Sequence, residues 1–352
     1  MLTAFALVKT GVKVAIIEKS ASALESSWAG GGILSPLYPW RYPDAVNVLS
    51  FKSQDLYPAL ADEVQQVSGI DPELYPCGMH VLEEDLDAAA YRWLLEHNVN
   101  YTDSAPKWNK DTSKKYLFFS QVAQIRNPRF IKSLGVTLAR LGVEFSLNNT
   151  VSGFKKEASG GFSITTGKGQ WVADKMVVCA GAWTSKLLES VLPSVAQPND
   201  KSSTRFKLDI SPVQGQMLLY KADKDLIPSI ILAKGKYIIP RKDGRVLVGS
   251  TMENVGFNKA ITENGLHELT RFVADISPVL LEYPIEKHWA GLRPGSPNGI
   301  PFIGEHPAIS GLFINSGHFR NGVVMAPASA SLMCSLIEGK QIDMDVGPYS
   351  IA

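Results

Sequence analysis

The apolar positions of this chain follow two textures. At both ends and in the middle they alternate between helical spacing and short β-branched runs. Residues 1–10, MLTAFALVKT, read as a helix, and Gly11 stands where a helix C-terminal glycine belongs. The run from Val12 to Ile17 is short and β-branched and ends in Glu18, which predicts a buried parallel strand. Helix, glycine, strand and acid, in that order, make the second half of a βαβ dinucleotide unit. Further helices are predicted over about 44–68, 128–141, 183–190, 263–276 and 322–338, the last stopping at Gly339. Strands are predicted over 143–147, 162–166, 175–180 and 312–315. Residues 26–35, SSWAGGGILS, read as a loop of small residues, and 71–120 show no strong pattern. Residues 194–204, with Pro198 and Asp200, read as a linker or exposed loop.

Between 210 and 250 the texture turns to β. Strands are predicted over 213–220, 229–233 and 237–240. The turn Arg241-Lys242-Asp243-Gly244 then leads into 246–250, and another strand precedes Trp289. The expected fold class is therefore α/β, a doubly wound Rossmann-like dinucleotide domain carrying an inserted antiparallel sheet. The expected division is a discontinuous cofactor domain (1–70, 126–205 and 288–352) and a substrate domain (71–125 and 206–287).

Composition narrows the function classes. The 352 residues suit about two domains. Lys plus Arg is 35 against 34 Asp plus Glu, a net charge of +1, without the basic face a nucleic acid needs. No apolar run reaches the ~18 residues of a membrane span. No secretory leader pattern is present, and a reducing cytoplasm is the expected compartment. Cys77, Cys179 and Cys334 are far apart and in no metal spacing; Cys179 and Cys334 sit in apolar runs and read as buried small hydrophobes.

Four segments carry candidate chemistry. Glu18 ends a strand, where a dinucleotide fold places its ribose-binding acid; a plain surface acid is the competing reading. The glycine loop that should precede such an acid by ~20 residues would fall just before Met1, and no GxGxxG occurs in the sequence. The expectation is a chain that lacks the first strand and phosphate loop of its own fold. Such a chain would be flavin-poor as it stands, until roughly 15–20 upstream residues are restored. Ser26, Ser27, Gly30, Gly31 and Gly32 can bring backbone N–H groups close to a flat or anionic ligand, or simply form a surface loop. Trp289-Ala290-Gly291-Leu292-Arg293-Pro294-Gly295 and Gly317-His318-Phe319-Arg320-Asn321-Gly322 each set one arginine among apolar and small residues. Such a guanidinium takes a ligand carboxylate or a protein acid. The second motif also opens a helix, whose positive end suits a reduced flavin; His318 reads as structural.

Together these motifs resemble the D-amino-acid-oxidase superfamily of flavoproteins, most closely its glycine oxidase branch linked to thiamine biosynthesis. The likeness is most specific from WAGLRPGSPNGIPFIG to GHFRNGVVMAPA. It implies FAD as cofactor, a small amino acid or amine as substrate, and oxygen or another acceptor for the electrons. By resemblance, Glu18 and Lys19 hold the adenosine ribose. Ser26, Ser27, Gly31, Gly32 and Ile33 line the pyrophosphate and flavin, and Val151 meets the adenine end. His318, Phe319, Arg320, Asn321, Gly322, Val323 and Val324 wrap the isoalloxazine. Arg293 pairs with the substrate carboxylate, Tyr237 adds a hydroxyl, and Arg320 and Met252 complete the pocket. The implied chemistry is hydride transfer from the substrate Cα to flavin N5 followed by imine hydrolysis, with no metal. A D-amino-acid dehydrogenase, a sarcosine-type oxidase and a truncated, non-catalytic binding protein remain as alternatives. The oligomeric state stays open, a homo-oligomer included.

Overall fold

The structure is a computed structural model, and it describes residues 1–21, 25–106, 113–191 and 208–351. The first helix is α1 (Leu2–Val8), and Gly11 at φ 86 turns the chain into β1 (Ala15–Ile17). β1 pairs in parallel with β5 (Glu144–Ser146), Ala15 opposite Glu144. A second piece of sheet has β16 (Leu312–Ser316) at its centre, parallel to β9 (Met176–Val178) and antiparallel to β15 (Phe302–Glu305). The helices α3 (Asp44–Ser68) and α8 (Gly322–Glu338) pack with α1 over this piece. Leu7, Val46, Leu49, Phe313, Val324, Met325 and Met333 share one buried cluster there. Helix α5 (Asn127–Arg140) closes the far side of α3 through Phe130 and Leu134 against Tyr57, Leu60 and Val64.

The expected doubly wound sheet thus comes as two pieces. Among the described residues no strand pairs with the outer edge of β1 or of β9. Both edges line one cavity, through Val14–Glu18 on one side and Lys175–Gly181 on the other. Cys179 is exposed at this edge, where sequence reading expected burial. Its strand is apolar because of neighbours on the sheet faces, but its end opens onto the cavity.

The larger sheet has eight strands in the order β14-β10-β13-β12-β11-β2-β4-β3. They are β2 (Met79–Leu82), β3 (Thr102–Asp103), β4 (Tyr116–Phe119), β10 (Ser211–Lys221), β11 (Ile230–Ala233), β12 (Lys236–Pro240), β13 (Arg245–Gly249) and β14 (Ile285–Gly295). The sheet is mixed rather than purely antiparallel, since β11 runs parallel to β2. Its period of two sorts side chains cleanly. Leu218, Tyr220, Ile238, Val246 and Val248 pack under helix α7 (Glu263–Ile276), while Met217, Tyr237, Ile239 and Leu247 face the opposite way. A slip of one residue would send Tyr237 to the α7 side. The last strand runs to Gly295, beyond the expected boundary at 287, and passes through Trp289 rather than ending before it.

Other differences have local causes. The small-residue segment 26–35 contains a short helix, α2 (Ser26–Ala29), and 71–125 holds β2, α4 (Ala88–Glu96), β3 and β4. A small antiparallel sheet of β6 (Val151–Lys156), β7 (Phe162–Thr166) and β8 (Gly169–Ala173) packs against α6 (Thr184–Val191), and only β7 was expected. The polar stretch 194–204 lies outside the described residues.

Candidate active site

The two sheet systems meet around a cavity of about 1760 Å³. That exceeds the roughly 300–1,000 Å³ of an ordinary small-molecule pocket. Of the residues singled out from sequence, all line it except Met252, Asn321 and Val324. Met252 is 60% exposed, because the chain turns outward after Thr251. Asn321 and Val324 are buried beneath the wall, Val324 within the α8 core.

At one end lies Glu18, just past β1. Its Oε1 accepts from the Ser20 backbone N–H at 3.1 Å and from Ser20 Oγ at 3.0 Å. Among the described residues no donor reaches Oε2. Lys19 lies 3.5 Å from the centroid of the Trp183 ring, held by a cation–π contact. Val151, the first residue of β6, lines this end as well.

The middle is built by α2 and the glycines that follow it. Asn127 donates to the Ser27 carbonyl at 2.9 Å, and buried Arg241 donates to the Gly31 carbonyl at 2.9 Å and to Gln124. Burial, helped by the neighbouring charge of Arg126, pulls Arg241 down to about 10. A Cβ on Gly32, at φ 82, would stand 2.0 Å from the Ile125 carbonyl, so only glycine fits there. Among the described residues Asn127 Oδ1, beside Gly32, and Asn315 Oδ1, near Thr3 and Ser329, are buried without a hydrogen-bond partner, and both residues line the cavity. An unfilled buried acceptor beside a glycine cradle fits a ligand bearing its own donors. Sequence reading missed Asn127 and Arg241; nothing in their local pattern marks them.

At the far end stands the turn before α8. His318 is neutral at pH 7: burial lowers it to about 4, and its Nε2 lies 3.1 Å from Ser329 Oγ. Phe319 adopts φ 44, an uncommon conformation for an aromatic residue that recurs at ligand sites. Arg320 donates to the Gly235 carbonyl at 3.0 Å. Gly322 and Val323 open α8, whose N-terminal end is positive.

Arg293 projects from β14 across β10. Its Nη1 donates to the Gln214 carbonyl at 3.2 Å and the Thr251 carbonyl at 3.3 Å. Its Nη2 donates to the same Thr251 carbonyl at 3.3 Å and to Ser250 Oγ. Gly215 makes this seat possible, since a Cβ there would lie 2.2 Å from Nη2. The Tyr237 hydroxyl lies beside the guanidinium and 3.4 Å from Met217 Sδ. Gly249, opposite both Met217 and Tyr237 in register, leaves space for their side chains. Burial, and then the charge of Arg320, lowers the Arg293 value, while Tyr237 and Tyr42 oppose that shift. Among the described residues no Asp or Glu forms an ion pair with Arg293. The sequence marked Arg293, and the family resemblance Tyr237, but neither marked Gly215, Ser250 or Thr251.

A dinucleotide-sized cleft on a split Rossmann-like sheet, joined to a mixed sheet, is the arrangement of a nucleotide-dependent oxidoreductase. Comparison with known proteins is specific. Residues 1–336 match the family described as FAD dependent oxidoreductase. Glycine oxidase of Pseudomonas aeruginosa is 38% identical, the match covering 100% of this chain and 95% of that protein. Glycine oxidase of Pseudomonas putida is 39% identical over 99% of this chain and 94% of its own length. The crystal structure of glycine oxidase from Geobacillus kaustophilus superposes with a TM-score of 0.89 at 25% identity, covering 100% of this chain and 95% of that one. The chain belongs to the FAD-dependent oxidoreductase family: it is an enzyme of amino-acid or amine oxidation, and FAD is its cofactor. No helix among the described residues is long and apolar enough to cross a membrane, and no cluster of ligands for a metal ion occurs among them.

Proposed function

We propose that this enzyme oxidises a small amino acid, glycine first among them, whose carboxylate pairs with Arg293. The observation that carries the reading is the guanidinium itself. It is fixed by three protein acceptors and has no acidic partner among the described residues, so its charge is left for a ligand. The names of the Pseudomonas relatives agree with glycine. Tyr237 adds one hydroxyl to the carboxylate. Arg293 and Tyr237 together hold the Cα–H in a single orientation, and that orientation supplies most of the acceleration. Tyr237 and Met217 fill the space beside Gly249, which favours a substrate without a large side chain.

The cofactor is held by Glu18 at the ribose, by Ser26, Ser27, Gly31, Gly32 and Ile33 along the middle, and by residues 318–323 at the flavin. Bound there, FAD would supply the acceptor for a hydride from the substrate Cα. Hydride transfer of this kind requires no protein acid or base beside the reacting carbon, and His318 is engaged with Ser329. The test is oxygen uptake with glycine, sarcosine and D-alanine in turn, with the released amine identified as ammonia from glycine and D-alanine and methylamine from sarcosine. Glycine turnover with stoichiometric oxygen uptake is expected. Turnover that needs an artificial dye acceptor instead makes the enzyme a dehydrogenase, and no turnover of any of the three contradicts the substrate assignment.

A further inference from the structure

The reading of Arg293 as the carboxylate anchor raises the question of what fixes the guanidinium, and the inference below rests on that reading. Two of its three acceptors are backbone carbonyls, of Gln214 on β10 and of Thr251 just past β13. A carbonyl orients a ligand only as well as its own segment is held. Residues 250–253 leave the sheet at this point, and Met252 is exposed. Backbone bonds from Thr251 and Glu253 to β10 hold the departing segment, and one side chain reinforces them. Glu253 Oε1 accepts from Thr251 Oγ1 at 2.7 Å and from Gln216 Nε2 at 2.8 Å. Thr251 Oγ1 in turn accepts from the Gln216 backbone N–H at 2.9 Å. The Glu253 backbone forms an isolated antiparallel bridge with Gln214, its N–H donating to the Gln214 carbonyl at 3.0 Å. That carbonyl is the one Arg293 Nη1 uses. Gln216 is wholly buried, and its remaining hydrogen bonds go to Thr262 and His288.

We infer that Glu253 is a positioning residue for the substrate carboxylate, fixing the Thr251 and Gln214 carbonyls that aim Arg293. Its carboxyl turns to Thr251 and Gln216 and forms no ion pair with Arg293, so it orients the cation without occupying it. Losing the two side-chain bonds leaves the Thr251 carbonyl held by backbone bonds alone on either side of it, and a guanidinium misplaced by a fraction of an ångström binds a carboxylate poorly.

The probe is acetate, the carboxylate of glycine without its amine, titrated calorimetrically into the purified full chain. Wild type, Arg293→Ala, Glu253→Ala, Glu253→Gln and Thr251→Val are compared, with thermal melting run in parallel. The expected result is loss of acetate binding in Arg293→Ala and a Kd raised about 10-fold in Glu253→Ala. Thr251→Val, which keeps the volume and removes the hydroxyl, is expected to weaken binding similarly. Glu253→Gln, which keeps an acceptor oxygen, recovers most of it. An acetate Kd within twofold of wild type in Glu253→Ala, or in Thr251→Val should Glu253→Ala not fold, overturns the inference. So does a lowered melting temperature with unchanged Kd, the mark of a purely structural role. Equal acetate binding by wild type and Arg293→Ala would instead remove the carboxylate reading on which the inference stands.

Discussion

Gly215 decides where Arg293 can lie. The guanidinium covers the Gly215 Cα, and any Cβ there would stand 2.2 Å from Nη2 and 2.4 Å from Nη1. The colliding atoms are the far end of a flexible side chain, so the fold survives and the arginine moves. Gly215→Ala is expected to melt within about 2–4 °C of wild type while losing on the order of 100-fold in kcat/KM for glycine. A kcat/KM within threefold of wild type would show that the seat tolerates a methyl group. Tyr237→Phe removes one hydroxyl and should cost ~1 kcal/mol, about fivefold in kcat/KM, with the flavin spectrum intact. Loss of flavin in that variant would move Tyr237 from the substrate site to the cofactor site. Arg293 and Arg320 were singled out in the sequence because a charged group among glycines and apolar residues is conspicuous, whereas Tyr237 came only from the family resemblance. Gly215, Thr251 and Glu253 were not singled out, since their roles come from register across β10, β13 and β14, which no local pattern records.

Among the elements, those with punctuated ends were readable. Helix α3 stops at Gly69 in the left-handed conformation, α7 starts at the Thr262 cap, and α8 stops at left-handed Gly339. Strands β2 and β4, four residues each, lie in a stretch whose sequence shows no strong pattern. β6 and β8 carry glycine and exposed residues that weaken the signal. Helix α4 lies in this illegible stretch, yet it has a good cap, with Asp87 accepting from the Ala90 N–H at 2.8 Å. Asp87→Ala should cost ~1 kcal/mol and lower the melting temperature by about 2–4 °C, with kcat unchanged. Calorimetry checks the first part and steady-state assay the second; a fall in kcat would tie α4 to the active site.

For the whole molecule, two imidazoles are among the groups that lower stability on the acid side. His80 and His318 are both lowered by burial to about 4. Unfolded histidine sits near ~6.5, so between those values the unfolded chain binds more protons than the folded one. The stability they permit is full above about pH 6.5 and is lost as pH falls toward 4. The urea midpoint should therefore drop between pH 7 and pH 5, and His80→Phe should flatten part of that slope. An unchanged slope in the variant would mean that His80 is protonated in the folded state. The global architecture was legible from the order of textures along the chain. The split of the parallel sheet into two pieces, with β1 and β9 facing one cavity, is a property of tertiary pairing.

Arg293 lines the cavity as the proposed carboxylate anchor, and the kinetics of its variants with glycine test the account most directly. In Arg293→Ala the proposed charge pairing with the substrate carboxylate is gone, and kcat/KM should fall by roughly 30- to 800-fold, equivalent to ~2–4 kcal/mol. KM should rise and bound FAD should stay at the wild-type level. Arg293→Lys keeps the charge without the fork and should fall by less. A kcat/KM for glycine that is the same in wild type and Arg293→Ala would contradict the account.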